Sequence, residues 1–592
     1  MIELLDILRK SVLFSCLQEN ELQDLASKFV LIDLKEGEIL FSRGDKPDSI
    51  YLVISGNVVS YLIDKNNQPE IIGNVEQGQI VGESGVLSNQ PRMLSVKATT
   101  PSQLAQLSAE RFKALCDNNP VILQETIKIV IERSQRTMNF IADESTQQWH
   151  IVIPANSQVS IKNFSIRLKK NLTNYQDISF FEGDDVDNIK EEMSRLGRHK
   201  NRMILLINSP EVLSELLELN KNNTIYLLAD NQANVDVDLK IINLINNKKN
   251  KIYIKSELVI LHSDDVEIPV NTIKWLEKAS FSFHYQIKQN RDADYQRFLR
   301  FINGTATALV LGGGGAKGWF HVGLIKALTE MNIEIDAIGG VSAGAIVGAC
   351  YLIDPEFNLV VDKLKRITSA FYRITKFKNL TWPLVSLFKS SDAIASLQEI
   401  FHEIKIEDLW RPFFCVTANL SMCCESVHYH GELPSLIMAS NSIPGVLPPL
   451  IINGQLHYDG GLINNLPIDI MRNRIGNQNR IIASSLSTNS IDDTVYHFPQ
   501  ETNLIRFLMA RFGRGKKSYP IIWDNFIKAI LMGSSLKEQQ NCQYADFVIN
   551  PDLSHFSIYY LNKNQEQELL QLGYEEGIKL INSNVRIYND RI

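Results

Sequence analysis

The segment TALVLGGGGAKGWFHVGLIKALTE, Thr307 to Glu330, leaves its part of the chain few folds to choose from. A short apolar run reads as a strand, four successive glycines end it, and apolar residues then return at the spacing of an amphipathic helix. Strand, tight loop and helix in that order make one unit of a parallel α/β layer. Consecutive glycines let backbone N–H groups converge near a helix N-terminus, a place that holds an anion. A second junction comes in GGVSAGAIVGAC, Gly339 to Cys350, where Ser342 stands between Gly340 and Gly344 as an apolar run turns helical.

Taken alone, each segment has two readings. The glycine loop fits G-x-G-x-x-G, and Asp336 lies where a dinucleotide-binding unit carries its ribose-holding acid. Asp336, however, leads directly into AIGGVSAGA, a serine at a strand-to-helix turn, which a hydrolase requires and a dehydrogenase does not. Ser342 is either a nucleophile lifted out of the sheet by small neighbours or the cap of the helix AGAIVGACYLI. Downstream, LHYDGGLINNLP ends a strand on Asp459 and continues with two glycines, which is also ordinary turn chemistry. A serine esterase needs a base within hydrogen-bond reach of its hydroxyl and fixed N–H donors for the oxygen of the tetrahedral intermediate. The three segments supply these three parts.

In this order the segments closely resemble the patatin-like phospholipases, as do ASNSIPGVLPPL and NNLPIDIMR. The resemblance implies an α/β acyl hydrolase with a Ser–Asp dyad: Ser342 as nucleophile, Asp459 as base, and Gly313, Gly314, Gly315 and Gly318 framing the oxyanion hole. Gly340 and Gly344 would form the nucleophile's elbow, and catalysis would need no metal or other cofactor. The substrate implied is a phospholipid or lysophospholipid met at a membrane surface. An ordinary hydrolase triad would add a histidine; His497 and His555 come after Asp459, and His457 shares a strand face with it.

Upstream, the text from Leu31 to Leu107 is short β-rich runs punctuated by glycine, bracketed by helical periodicity, which reads as a small β-barrel or jelly roll. Within it, VGESGVLSNQPRMLSV resembles the phosphate-binding cassette of cyclic-nucleotide-binding domains. That family would hold the ribose of a cyclic nucleotide, cAMP or cGMP, on Glu83 and its phosphate on Arg92, with Gly82 allowing close backbone approach. The pattern departs at Val81, Gly85 and Leu94, and the alternative is a structural barrel in which Arg92 makes an internal salt bridge.

Between barrel and hydrolase, WHIVIPA, DISFFE, RMILLIN, TIYLLAD and IYIKSELVILH alternate with helical stretches, a Rossmann-like parallel layer without a phosphate loop, suited to a scaffold or partner-binding role. The expected parts are thus 1–140, 148–290 and 306–582: an α+β barrel domain and then two α/β layers. Their order resembles the neuropathy target esterase group of lysophospholipases in its shorter, bacterial-type form. A non-catalytic cyclic-nucleotide sensor with α/β partner-binding parts is the rival reading.

Composition sets outer limits. The 592 residues, 44% hydrophobic and 21% charged, suffice for several cores, and a net charge of -7 without a long basic tract argues against nucleic acid. Seven scattered cysteines without a paired CxxC read as reduced cytosolic thiols. The start lacks a leader pattern and no run reaches about 18 apolar residues, so membrane contact is expected to be peripheral. NLTWPLVSLFKSS, with Lys389, and RFLMARFGRGKKSYP, with Arg511, Arg514, Lys516 and Lys517, mix apolar and basic residues as a docking site would, though packed helix ends read the same way. Lipid head group, chain length and any activating protein depend on pocket shape and lid motion, which the sequence leaves open.

Overall fold

The computed structural model describes residues 2–589 except 12, 15, 64–68, 76, 89, 146–147, 197–201, 221, 232–234, 236, 247–254, 375–378, 383–384 and 488–521. The chain forms two compact units, Met1–Thr146 and Gln147–Ile592. All seven cysteines are free thiols. Among the described residues no helix is long and apolar enough to cross a membrane.

In the first unit, two four-stranded antiparallel sheets make the barrel the β-rich runs predict. One is ordered β1 (Val30–Leu34), β8 (Ser102–Ser108), β3 (Ser49–Ser55), β6 (Ile80–Val81); the other is β2 (Ile39–Phe41), β7 (Ser95–Ala98), β4 (Val58–Ile63), β5 (Pro69–Val75). SIYLVIS in β3 is buried on both faces. Ile50, Leu52 and Ile54 pack toward the flanking helices, while Tyr51 and Val53 pack with Phe41 and Val96 inside the barrel.

The second unit holds two sheets. Six parallel strands run in the order β10 (Ile178–Glu182), β11 (Arg202–Leu206), β9 (Gln148–Pro154), β12 (Asn223–Asp230), β13 (Lys255–His262), β14 (Phe283–Lys288). β14 is not among the strand-like runs read from the sequence, and the next helix, Asp292–Asn303, joins the two sheets. Its Tyr295, Phe298, Leu299 and Ile302 share one apolar core with Val152 and Ile204 of the first sheet and Ala308, Val310 and Ala483 of the second.

In the second sheet hydrogen-bonded pairing links β19 (Leu450–Ile452) to β20 (Gln455–Asp459), β20 to β17 (Phe413–Asn419), and β17 through β16 (Ala337–Gly340), β15 (Thr307–Leu311) and β21 (Arg480–Ser484) to β22 (Phe547–Ile549); β18 (Cys424–His428) also pairs with β17. β22, β21, β15, β16 and β17 are parallel, whereas β18 and β20 pair β17 antiparallel. The helix Ala343–Ile353 is apolar on every side and accordingly buried along almost its whole length. The helix Trp319–Glu330, expected to be amphipathic, is also buried nearly all round because Lys563–Asn589 covers its outer face. A methyl group on Gly573 would lie 2.0 Å from the Phe320 carbonyl, so only glycine admits that approach.

Candidate active site

Strand register brings the two sequence-predicted catalytic residues together. Cys415 pairs with both Gly340 and His428, so β16 and β18 lie on opposite edges of β17. Thr417 pairs with both Ser426 and Asp459, which puts β20 opposite β18 and therefore on the same edge as β16. β16 and β20 thus meet end to end along β17, and Ser342 and Asp459 emerge where they meet.

Ser342 occupies the first position before its helix but does not cap it, since its side chain makes no capping bond. Its backbone has φ 51° and ψ -122°, a left-handed conformation that costs a non-glycine residue about 1–3 kcal/mol. The close turn is possible because a methyl on Gly344 would stand 2.1 Å from the Leu311 carbonyl. The Ser342 N–H donates to Ser440 Oγ at 3.0 Å, and Ser440 in turn donates to the Val416 carbonyl. The Ser342 hydroxyl reaches Asn441 Oδ1 at 3.3 Å, while Asn441 Nδ2 donates to the Ser342 carbonyl at 3.1 Å.

Asp459 is buried, its N–H on the Ser442 carbonyl and its Oδ1 accepting the Gly461 N–H at 2.7 Å. Burial pushes its carboxyl up to about 6, against the opposing pull of hydrogen bonding from Ser342 and Gly461. An acid held there is ionised at neutral pH yet still a competent base.

The glycine loop lies against the serine: a methyl on Gly313 would be 3.2 Å from Ser342 Cβ, and one on Gly318 3.2 Å from Ala343 Cβ. Gly313 donates its N–H to the Asn465 carbonyl, whereas the Gly314 and Gly315 N–H groups have no acceptor among the described residues. Gly315 has φ 57°. His321 braces the loop from behind. Burial lowers it to about 4, so it is neutral at pH 7; Nε2–H donates to the Gly312 carbonyl at 2.9 Å and Nδ1 accepts from Ser484 Oγ. Asp336 is buried and turned to the protein itself: Arg300 grips its carboxylate and the Thr307 N–H donates to it, which removes the ribose-holding role of the dinucleotide reading.

His457 makes no hydrogen bond to Asp459 among the described residues. Its Nδ1 lies 2.8 Å from Thr417 Oγ1, which also meets His428 Nε2 at 2.6 Å, and burial keeps both imidazoles below their usual range. The His555 ring lies tilted against Phe556, and His497 lies outside the described residues. Among the described residues no group of three or more His, Cys, Asp or Glu is placed to hold a metal.

In the barrel, Glu83 and Arg92 line one cleft with Phe41, Gly82, Leu94 and Arg133. Arg92 is spent internally, mostly on backbone: Nη1 donates to the Gly82 carbonyl and Nη2 to the Ser49 carbonyl, each at 2.6 Å, and its plane lies over Phe41. Asp48 is at 3.8 Å, the edge of ion-pair range. Arg133, from the helix Pro120–Ser145, binds Glu83 Oε1 at 3.0 Å. Glu83 Oε2 and Arg92 Nε remain buried without partners, which fits a polar ligand in the cleft.

Residues 309–472, which contain both Ser342 and Asp459, match the family model of patatin-like phospholipases. The chain carries a patatin-like phospholipase domain. Residues 31–119, around Glu83 and Arg92, match the cyclic nucleotide-binding domain. The chain is 25% identical over 503 residues to mouse patatin-like phospholipase domain-containing protein 7, covering 74% of this chain and 37% of that protein. It is 27% identical over 504 residues to the Drosophila melanogaster neuropathy target esterase sws, covering 75% and 35%. It therefore spans little more than a third of the length of these curated relatives. Among solved structures, the regulatory domain of Toxoplasma gondii PKA with cAMP is 26% identical over 19% of this chain and 43% of that one, at a TM-score of 0.18.

The patatin-like domain also uses residues that its sequence motifs do not announce. Asn441 sits inside ASNSIPGVLPPL and Asn465 inside NNLPIDIMR, but nothing in either segment says which amide meets the serine and which the glycine loop.

Proposed function

We propose that the chain is a serine acyl hydrolase of phospholipids or lysophospholipids, working through a Ser342–Asp459 dyad without a metal. Ser342 itself supports this most: a strained, uncapped serine beside a buried carboxyl and against a glycine loop in which the Gly314 and Gly315 N–H groups have no acceptor of their own among the described residues. Asp459 takes the hydroxyl proton as Oγ attacks the ester carbonyl carbon, and the Gly314 and Gly315 N–H groups receive the oxyanion. Collapse expels the alcohol, which leaves with the proton from Asp459. Water, deprotonated by the same carboxylate, then attacks the acyl carbon, and Ser342 Oγ leaves with the proton from Asp459 as the fatty acid is released. Hydrolysis of a panel of phospholipids and lysophospholipids by the purified protein tests the reading, which fails if no ester is cleaved.

A dyad needs no histidine. His457→Gln and His555→Gln should each keep kcat/KM within about tenfold of wild type. A folded histidine variant as inactive as Asp459→Asn would replace the dyad with a triad.

Membrane docking falls to the loop after Asn379. Trp382 and Val385 are 87% and 64% exposed, and the loop is bonded to Gly445 and Val446, just beyond Asn441. The second docking segment, with Arg511, Arg514, Lys516 and Lys517, lies outside the described residues.

The barrel is proposed to take a cyclic nucleotide as regulator, its ribose on Glu83 and its phosphate on Arg92, displacing Arg133 and the Gly82 carbonyl respectively. Calorimetry with cAMP and cGMP should show Arg92→Ala weakening binding by about 1.5–3 kcal/mol. Wild-type protein that binds neither would leave Arg92 as an internal brace.

A further inference from the structure

Glu538 lies on the helix Ile522–Asn541, 1% exposed. Its carboxylate accepts from the Ser485 hydroxyl, from Ser487 Oγ at 2.7 Å and from Asn465 Nδ2 at 3.1 Å. No cation among the described residues pairs with it; the adjacent Lys537 turns instead to Glu425 and Asp469. A lone buried carboxylate is expensive, so stability alone does not account for it.

The contacts of its three partners do. Ser485 and Ser487 flank Leu486, which presses on the glycine loop: a methyl on Gly314 would lie 2.5 Å from Leu486 Cβ. Asn465 holds the neighbouring residue twice, its carbonyl accepting the Gly313 N–H and its Nδ2 reaching the Gly313 carbonyl, each at 3.3 Å. A carboxylate only accepts, so it draws both hydroxyl protons and the Asn465 amide hydrogens toward itself and fixes which way that amide faces.

We infer that Glu538 is a positioning residue of the oxyanion loop, holding the Gly314 and Gly315 N–H groups in place through Asn465 on one side and residues 485–487 on the other. This rests on the proposed acyl hydrolase reading. Since a displacement of about 1 Å costs roughly 10²-fold in rate, Glu538→Ala should lower kcat about 10- to 100-fold with KM within about twofold. Glu538→Gln, which can still accept on one oxygen, should recover part of that loss. Hydrogen exchange should quicken across residues 312–318 and stay unchanged in the barrel. If Glu538→Ala does not fold, Ser487→Ala, which removes one donor, should show the same kcat-only loss at about 3- to 10-fold. An unchanged kcat in a folded variant, or a loss carried by KM, overturns the positioning role while leaving the hydrolase intact. A wild-type protein that cleaves no ester overturns both.

Discussion

Ser342→Ala should lose ester hydrolysis by roughly 10⁴-fold or more, and with it labelling by a fluorophosphonate, while folding normally. One oxygen is removed, and the Ser342 N–H and carbonyl keep their bonds to Ser440 and Asn441. The alanine inherits the strained backbone, because φ 51° is set by the turn and not by the hydroxyl. Ser342→Gly should therefore be just as inactive yet more stable than Ser342→Ala by about 1 kcal/mol, since glycine adopts that conformation freely. Labelling and thermal melting of both variants check the pair. Retained labelling of the folded alanine variant would remove Ser342 from the mechanism; equal melting temperatures would remove the strain.

Asp459→Asn should be nearly as damaging to activity and opposite in sign for stability. Burial raises the carboxyl from 3.8 to about 6, so the folded state prefers the proton. Stability from this group is fully present below the unfolded value and is lost as pH rises through about 6, amounting to about 3 kcal/mol at neutral pH. Asparagine mimics the protonated acid and can still accept the Gly461 N–H, so the variant should melt higher than wild type at pH 8 and close to it at pH 4. Wild-type kcat/KM should run the other way, falling about tenfold per pH unit below about 6 as the base takes up its proton, and staying level from pH 7 to 9. Thermal scans at the two pH values and a pH–rate profile measure both halves. An asparagine variant less stable than wild type at pH 8 would contradict the buried, costly base.

The sequence carries those parts of the site that steric necessity writes locally. Gly340, Gly344 and Gly313 are legible because no side chain fits where they stand, and Ser342 and Asp459 are legible because each sits beside such glycines. The barrel is readable for a similar reason: its short runs and turn glycines are local signals. β14 is not, because a buried parallel strand ordinarily reads as continuous apolar residues. Here one face carries Phe283, Tyr285 and Ile287, but the other buries His284 and Gln286 on the Glu407 carbonyl. Glu538 gives no signal at all. It meets Asn465 from 73 residues away, and a lone glutamate in a helical stretch ordinarily faces water.

The segment that matches the family, 309–472, stops short of most of what holds its glycine loop still. Ser484 and Leu486, the Ile558 carbonyl that takes the Ala316 N–H, and the helix Lys563–Asn589 wedged against Gly323 all come later in the chain. On the other side, Thr272 binds Asp408, and the helix Asp292–Asn303 fills the core beneath β15. Excised at its family boundaries, the segment would keep Ser342 and Asp459 but shed the walls around them. A fragment meant to keep this loop and its supports intact therefore has to extend past the family segment in both directions and take the neighbouring sheet with it.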